Sequence, residues 1–250
     1  MSALNIAALS LFAACWLFYQ PLLKLLSRKG GVINTDMTVI RSAWMRNMAG
    51  RENRFMDGQL LAQALNSASF FASSNLLLIA AAAGALFNGA DTFRHVSSLE
   101  VVSTSSRTLF EGQLSLVVIA LARGFLDFIW AIRQMNYTIA AFGSMPNGLD
   151  PAGHAKFGAF AARLLNPALS SFNAGVRGYY FALAAAAWLF GPWAFIAATV
   201  GAMTLLLYRQ TASPVAHAIG DLRAALEEHH GTASPQHRLH DAADPSDPAS

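Results

Sequence analysis

The chain has 250 residues, of which 54% are hydrophobic and only 12% are charged. Because a soluble domain usually has about 25% charged residues, this composition favours an integral membrane protein over a soluble one. The net charge of +3 does not predict nucleic-acid binding, since no element combines a basic stripe with aromatic residues, and the single cysteine, Cys15, excludes an intrachain disulfide.

Four apolar runs predict an all-α integral membrane bundle of about four transmembrane helices within residues 1–209. A span needs about 20 apolar residues. The first run has Trp16, Tyr19 and Lys24 at its second end, as expected for side chains that prefer the headgroup region. No A-x-A site follows it, so we expect a retained span. The predicted spans cover residues 4–23, 68–87, 113–133 and 179–207.

Two amphipathic segments between the spans predict interfacial helices. In the first connection, Ile40, Trp44 and Met48 share one face, which is typical of a helix at the membrane surface. The stretch from Asp150 to Phe172 also has an apolar face flanked by basic residues. A surface that docks a partner is an open alternative for this second stretch.

The last apolar run has 29 residues and carries Gly191-Pro192 near its middle. It is longer than one span needs and too short for two, which predicts one tilted, kinked span. A re-entrant hairpin stays open. Residues 210–250 predict a short amphipathic helix and then a disordered tail rich in Pro, Ala, Ser and Asp.

Orientation follows from the Lys and Arg residues in the connections. The first and third connections carry eleven of them, and the second connection and the near part of the tail carry four. Because basic connections stay in the cytoplasm, we expect cytoplasmic first and third connections, with the amino and carboxyl termini both outside.

The third apolar run carries polar side chains on one helical face, at spacings of four and three residues. A charged side chain near the bilayer centre costs roughly 2.5 to 3.5 kcal/mol, so we expect other helices to cover this face. An Arg–Asp pair there either fixes helix register or lines a solute path. The predicted seam comprises Arg123, Asp127, Trp130, Gln134 and Tyr137.

A second polar seam precedes and enters the second span. Gln63 and Asn66 follow the same spacing, and two such helices predict a shared interface. Near the predicted cytoplasmic end of the third run, a polar group is either a hydrogen-bonded helix terminus or a site for an anion or lipid phosphate. The residues of this second hypothesis are Arg54, Arg133, Asn136 and Arg177.

No catalytic motif is present. The sequence lacks G-x-S-x-G, Walker A, H-E-x-x-H and Rossmann phrases, so nothing positive supports an enzyme. The histidines near the carboxyl terminus are irregularly spaced, and we predict neither a metal site nor a cofactor from them: His217, His229, His230, His237 and His240.

Five phrases of the sequence are distinctive in combination: RSAWM (41–45), RENRFMDGQ (51–59), FFASSNLLL (70–78), FIWAIRQMNY (128–137) and GVRGYYFALAAAAWLFGPW (175–193). Together they resemble the family of bacterial and plant membrane proteins known as domain of unknown function 599. The resemblance spans residues 4–209 and implies a multi-pass membrane protein with about four helices and no assigned activity. We therefore expect a cell-membrane location, in bacteria the inner membrane.

Two functional classes follow for this bundle. In the first, the two seams line a hydrated route for a small solute or ion. In the second, the protein is a membrane scaffold that binds another protein or anionic lipid headgroups through its basic cytoplasmic connections. A lipid-modifying enzyme and a homo-oligomer are further open alternatives.

Overall fold

The computed structural model describes residues 2–27, 31–89, 92–94 and 106–232, and within these ranges all regular structure is helical. Four helical segments are long and apolar enough to cross a membrane: Ala3–Ser27, Phe55–Phe87, Arg107–Gly143 and Pro192–His229. The predicted all-α membrane bundle of about four spans is confirmed. The main helices are α1 (Ala3–Ser27), α2 (Ile33–Ala49), α3 (Phe55–Phe87), α4 (Arg107–Gly143), α5 (Pro151–Ala186), α6 (Pro192–Thr211) and α7 (Pro214–Thr232).

The long helices α4 and α5 begin at residues suited to a helix start. The Ser106 hydroxyl accepts a hydrogen bond from the Leu109 N–H at 3.3 Å, and an Asp150 oxygen accepts one from the Gly153 N–H at 2.8 Å. Each side chain thereby satisfies a backbone donor that has no partner within the helix. Pro151 occupies the first turn of α5, where its missing N–H is harmless.

The antiparallel pair of α4 and α5 forms the centre of the bundle. The Gln113 side chain donates to the Trp188 carbonyl at 2.9 Å, and further along, Gly124 faces Gly178. A Cβ on Gly178 would lie 3.0 Å from the Gly124 Cα, so the two backbones nearly touch. Small residues permit this close approach between membrane helices.

The other apolar helices pack around this pair. On one side, the Asn75 amide of α3 donates to the Leu121 carbonyl of α4 at 3.1 Å. On the other side, the Phe12 ring of α1 lies 5.9 Å from the Phe181 ring of α5 and 5.2 Å from the Phe195 ring of α6. Helix α3 therefore packs on one side of the central pair, and α1 and α6 pack on the other side.

A polar cap covers one end of the bundle, and it consists of α2, α7 and the adjoining ends of α3, α4 and α5. Met45 and Met48 of α2 are fully buried there in a cluster with Leu165 of α5. The Arg223 guanidinium of α7 donates to the Asp36 carboxylate of α2 at 2.7 Å. Hydrogen bonds to Asp36 and Glu227 raise the pKa of Arg223 above its usual value.

The amphipathic stretch 150–172 is the first half of α5 and does not form a separate helix. Its residues Ala161, Leu165 and Ala168 are fully buried. Because α2 and α4 already contact this part of α5, the buried side of the stretch is not available to a docking partner.

The structure divides the apolar run 179–207, which we predicted to be one kinked span. Its first part ends α5, a 3-10 turn follows at Ala187–Phe190, and α6 begins at Pro192. Gly191 has φ of +115°, which favours glycine, and Pro192 begins the new helix. The Trp188 ring stacks on the Phe195 ring at 4.9 Å, so α6 turns back beside α5. The run therefore forms a hairpin of two helices, the end of α5 and α6.

Because of this hairpin, the two ends of the described chain lie at opposite ends of the bundle. The Trp188 indole donates to the Asn5 side chain at 2.8 Å, so the start of α1 lies at the end of the bundle opposite the polar cap. Helix α7 lies within the polar cap. Helix α5 runs the length of the bundle beside α4, and the side of the membrane on which each terminus lies stays a prediction. The predicted tail beyond Thr232 lies outside the described residues.

We expect labelling from the two sides of the membrane to place the start of α1 and the polar cap on opposite sides. In a Cys15→Ala background, single cysteines replace Ser2 just before α1, Asn47 of α2 and Ala218 of α7, all of which are exposed. A membrane-impermeant maleimide should label positions 47 and 218 from the same side and position 2 from the opposite side. Labelling of positions 2 and 218 from one side would contradict the hairpin.

Candidate functional site

The predicted seam of α4 is largely exposed in the single chain. The Arg123 side chain is 58% exposed, Trp130 and Tyr137 are about half exposed, and Asp127 and Gln134 are half-buried. The prediction that other helices cover this face is therefore wrong for most of the seam. The face that α4 does bury comprises Phe110, Gln113, Leu114, Val117, Ala120, Leu121, Gly124, Phe128, Ala131, Met135 and Thr138.

The second predicted seam also faces outward. Gln63 and Asn66 are exposed, whereas α3 buries the face that includes Ala68, Ala72 and Asn75. The predicted shared interface of the two seams is consequently wrong. Since α3 has 33 residues, it extends well beyond a 30 Å hydrocarbon layer, and polar residues in its first turns have no need of protein partners.

The four residues predicted to form an anion site are not brought together. Arg54 donates to the carbonyls of Ala49, Met145 and Pro146 at 3.0 to 3.1 Å, so it fastens two connections of the polar cap. Arg133 and Asn136 are exposed on α4. Arg177 lies about 39 Å further along α5 than Pro151, at 1.5 Å per residue. It therefore cannot share a membrane level with Arg54.

Arg177 instead lines a cavity of about 340 Å³ between α1, α4 and α5. We call it the basic cavity. Its polar lining consists of Tyr19, Gln20, Arg123, Asp127 and Arg177. The Gly124–Gly178 contact also borders it. Because the two glycines let α4 and α5 approach closely, the neighbouring residues Arg123 and Arg177 lie beside the same space.

The charges in the basic cavity are only partly balanced. The Arg123 guanidinium donates to the Asp127 carboxylate at 2.6 Å, as an i to i+4 pair on α4. Arg177 is 8% exposed, and its guanidinium carbon lies 5.4 Å from the centre of the Tyr19 ring. Within the described part of the chain, no carboxylate lies within 4 Å of Arg177. Two guanidinium groups therefore share one carboxylate.

Tyr19 lines this cavity and carries a second buried polar group that lacks a partner. Tyr19 is 2% exposed, and its hydroxyl has no hydrogen-bond partner among the described residues. From the sequence we predicted Tyr19 to be a headgroup anchor at the end of the first span. The structure turns it inward toward α5 and places it beside Arg177, a relation that the spacing within one helix cannot reveal.

The level of the basic cavity follows from helix geometry. Gln113 and Trp188 mark the end of the bundle opposite the polar cap. Counting 1.5 Å per residue, Arg123 lies about 15 Å and Asp127 about 21 Å from that end along α4. In a hydrocarbon layer of about 30 Å, this places the cavity in the half nearer the polar cap.

A family comparison covers most of this architecture. The family model described as "Protein of unknown function, DUF599" matches residues 7–215. The chain belongs to the DUF599 family. No curated protein and no solved structure matches it. The resemblance inferred from the sequence phrases is confirmed, and the matched range of this DUF599 protein contains every residue of the basic cavity.

The chemistry available to this DUF599 protein is that of its arginines. Among the described residues, no group of three or more His, Cys, Asp or Glu side chains could hold a metal ion. Guanidinium groups bind carboxylate and phosphate with paired, charge-assisted hydrogen bonds. The basic cavity is therefore suited to an anionic group that reaches it from the membrane.

Proposed function

We propose that this DUF599 protein binds a ligand with a phosphate or carboxylate group inside the membrane, in the basic cavity. One observation carries the proposal, which is the buried Arg177 guanidinium that faces the cavity with no carboxylate within 4 Å in the described chain. The location that we propose with it is the cell membrane, in bacteria the inner membrane, as expected from the sequence.

The energetics of burial support an anionic ligand. A charged group that is removed from water without a partner destabilises a protein by several kcal/mol. Asp127 is held by Arg123 at 2.6 Å, and the Tyr19 ring supplies only a cation–π contact to Arg177. A bound anion would accept hydrogen bonds from the Arg177 guanidinium, each of about 1.5 to 3 kcal/mol because the partners are charged.

This proposal keeps one of the two functions predicted from the sequence and changes its residues. Binding of an anionic lipid was predicted through the basic connections, but among the four predicted residues only Arg177 lies in the cavity. Passage of a solute or ion rested on the two seams, and the exposure of Gln63 and Asn66 favours binding over passage.

We expect Arg177→Met to weaken anion binding at least tenfold, because one or two charged hydrogen bonds are lost. Dodecyl phosphate is titrated into phosphatidylcholine nanodiscs that contain the full chain, and the shift in melting temperature reports binding. Without ligand, the variant should be as stable as the parent or more stable, since an unpaired buried charge has been replaced by an apolar side chain.

The matched control is Arg133→Met, which removes the same charge from an exposed position on α4 outside the cavity. It should leave dodecyl phosphate binding unchanged. If both variants weaken binding equally, the effect is one of overall charge and the proposal is wrong. The same holds if Arg177→Met binds as tightly as the parent.

A further inference from the structure

We infer that the ligand of the basic cavity is an amphiphile whose hydrocarbon chain lies along a groove between α1 and α4. This inference rests on the proposed function, because it uses Arg177 as the site for the anionic head. It adds the chemical class of the ligand, a single-chain or multi-chain lipid with a phosphate or carboxylate head, and the direction in which the chain runs.

A second cavity lies between the same two helices. It has a volume of about 500 Å³ and is located at the end of the bundle opposite the polar cap, beside Trp188. Serine and threonine side chains, including Ser2 and Thr108, border its outer end. The part nearer the basic cavity is mainly apolar, with Leu9 of α1 and Leu116 and Ile119 of α4, and Ser115 is its one hydroxyl-bearing lining residue among those described.

The linings of the two cavities lie one helical turn apart on α4, and the inferred groove joins them. Ile119 borders the apolar cavity and Arg123 the basic cavity, and these residues are four apart, one helical turn. On this face of α4, lining residues of the two cavities recur at spacings of three and four residues. In chain order these are Leu109, Gly112, Leu116, Ile119, Arg123 and Asp127.

Helix α1 shows the same change from apolar to polar lining along the groove. Leu9 lines the apolar cavity, and Trp16, Tyr19 and Gln20 line the basic cavity. From Leu109 to Ile119 the groove extends about 15 Å, at 1.5 Å per residue. A free inorganic anion would leave this apolar length unused, and a plain hydrocarbon would leave Arg177 unpaired. An amphiphile matches both parts.

The head lies in the half of the membrane nearer the polar cap, so the ligand has the orientation of a lipid in that leaflet. Its head group lies at Arg177 and its chain points toward Trp188. A phospholipid and a fatty acid share this chemistry, and they differ in the head that Arg177 and Tyr19 contact. The Arg177 guanidinium can donate hydrogen bonds to either head.

Gly112 provides a way to block the groove without touching the head site. No heavy atom lies within 4 Å of a Cβ built on Gly112, so a larger side chain fits there and fills the groove. Gly84 of α3 is equally free of neighbours but borders neither cavity. Gly112→Phe and Gly84→Phe are therefore a matched pair.

The test uses the full chain in phosphatidylcholine nanodiscs and three probes, dodecyl phosphate, dodecanoate and the water-soluble ethyl phosphate. Gly112→Phe should weaken binding of the tighter dodecyl ligand at least tenfold and change ethyl phosphate binding less than twofold. Gly84→Phe should change neither. A preference for dodecyl phosphate over dodecanoate identifies a phosphate head, and the reverse preference identifies a carboxylate head.

The outcomes separate the two proposals. If Gly112→Phe binds the dodecyl ligands as the parent does while Arg177→Met does not, the groove is not the chain site and this inference is overturned, although anion binding stands. If Arg177→Met binds all three probes like the parent, the proposed function itself fails, whatever Gly112→Phe does.

Discussion

Gly158→Leu is expected to destabilise the protein by about 3 kcal/mol, at the upper end of what overpacking a closely packed interface produces. A Cβ on Gly158 would lie 2.6 Å from the Cα of Arg46 and 2.8 Å from the carbonyl oxygen of Met45. Both are backbone atoms of α2, so no side-chain rotation can relieve the clash. Helix α2 must then move away from α5, and the buried contacts of Met45 and Met48 weaken.

The measurement is the apparent free energy of unfolding in mixed detergent micelles, with Gly84→Leu as the control. Gly84 also lies inside a long helix, but no heavy atom lies within 4 Å of its added Cβ. Since glycine is a poor helix former, Gly84→Leu should be neutral or stabilising by up to about 1 kcal/mol. Equal effects of the two substitutions would mean that α2 does not contact α5 at Gly158.

The contact at Gly158 also matters for the basic cavity, because the polar cap holds the first half of α5 and Arg177 is on its second half. Arg54 fastens the connection before α3 to the connection before α5 through the Met145 and Pro146 carbonyls. Within the membrane, the Gly124–Gly178 contact then sets the position of Arg177 relative to α4. Two glycine contacts on one helix thus define where the cavity forms.

The helices themselves could be predicted because their signals are local. Length and hydropathy locate the apolar parts of α1, α3 and α4, and the predicted residues 4–23, 68–87 and 113–133 lie within these helices. The separation of α5 from α6 is harder to predict. In the sequence, Arg177 interrupts the apolar character of α5. The reversal of the chain at Gly191 is seen only in the structure, where Gly191 has a positive φ.

The polar seams could be recognised but not placed. Spacing assigns Arg123 and Asp127 to one face of α4, yet it does not say which neighbouring helix that face meets. The opposite face of α4 offers Ala120, Gly124 and Ala131, whose small side chains allow closer helix contact. That face is buried, and the charged pair borders a cavity at the edge of the bundle.

Some buried polar groups escaped prediction because their partners are backbone atoms of distant helices. Asn75 donates to the Leu121 carbonyl and Gln113 donates to the Trp188 carbonyl. Neither residue belongs to a polar face, so periodicity gives no signal for them. A single amide within an apolar run is the remaining clue, since burial of an unpaired amide is unfavourable and requires a partner.

Asp57→Ala is expected to destabilise the protein by about 2 to 3 kcal/mol. Asp57 is fully buried in the first turn of α3, where its carboxylate accepts a hydrogen bond from the Trp44 indole at 2.7 Å and another from the Arg51 guanidinium. The substitution leaves the Trp44 N–H without an acceptor and removes a charge that favours a helix start. The Arg51 side chain is 49% exposed, so water screens its ion pair with Asp57, and loss of that pair contributes little to the destabilisation.

Two variants, measured in the same detergent unfolding assay, separate the hydrogen bonds from the charge. Asp57→Asn retains an oxygen acceptor for Trp44 and should lose less stability than Asp57→Ala. Glu111→Ala removes a carboxylate whose partner Arg107 is 59% exposed, and should change stability by less than about 1 kcal/mol. If Asp57→Ala is no more harmful than Glu111→Ala, the carboxylate does not hold α2 to α3. The contact between α2 and α3 would then depend on apolar packing at Met45, Met48 and Leu61.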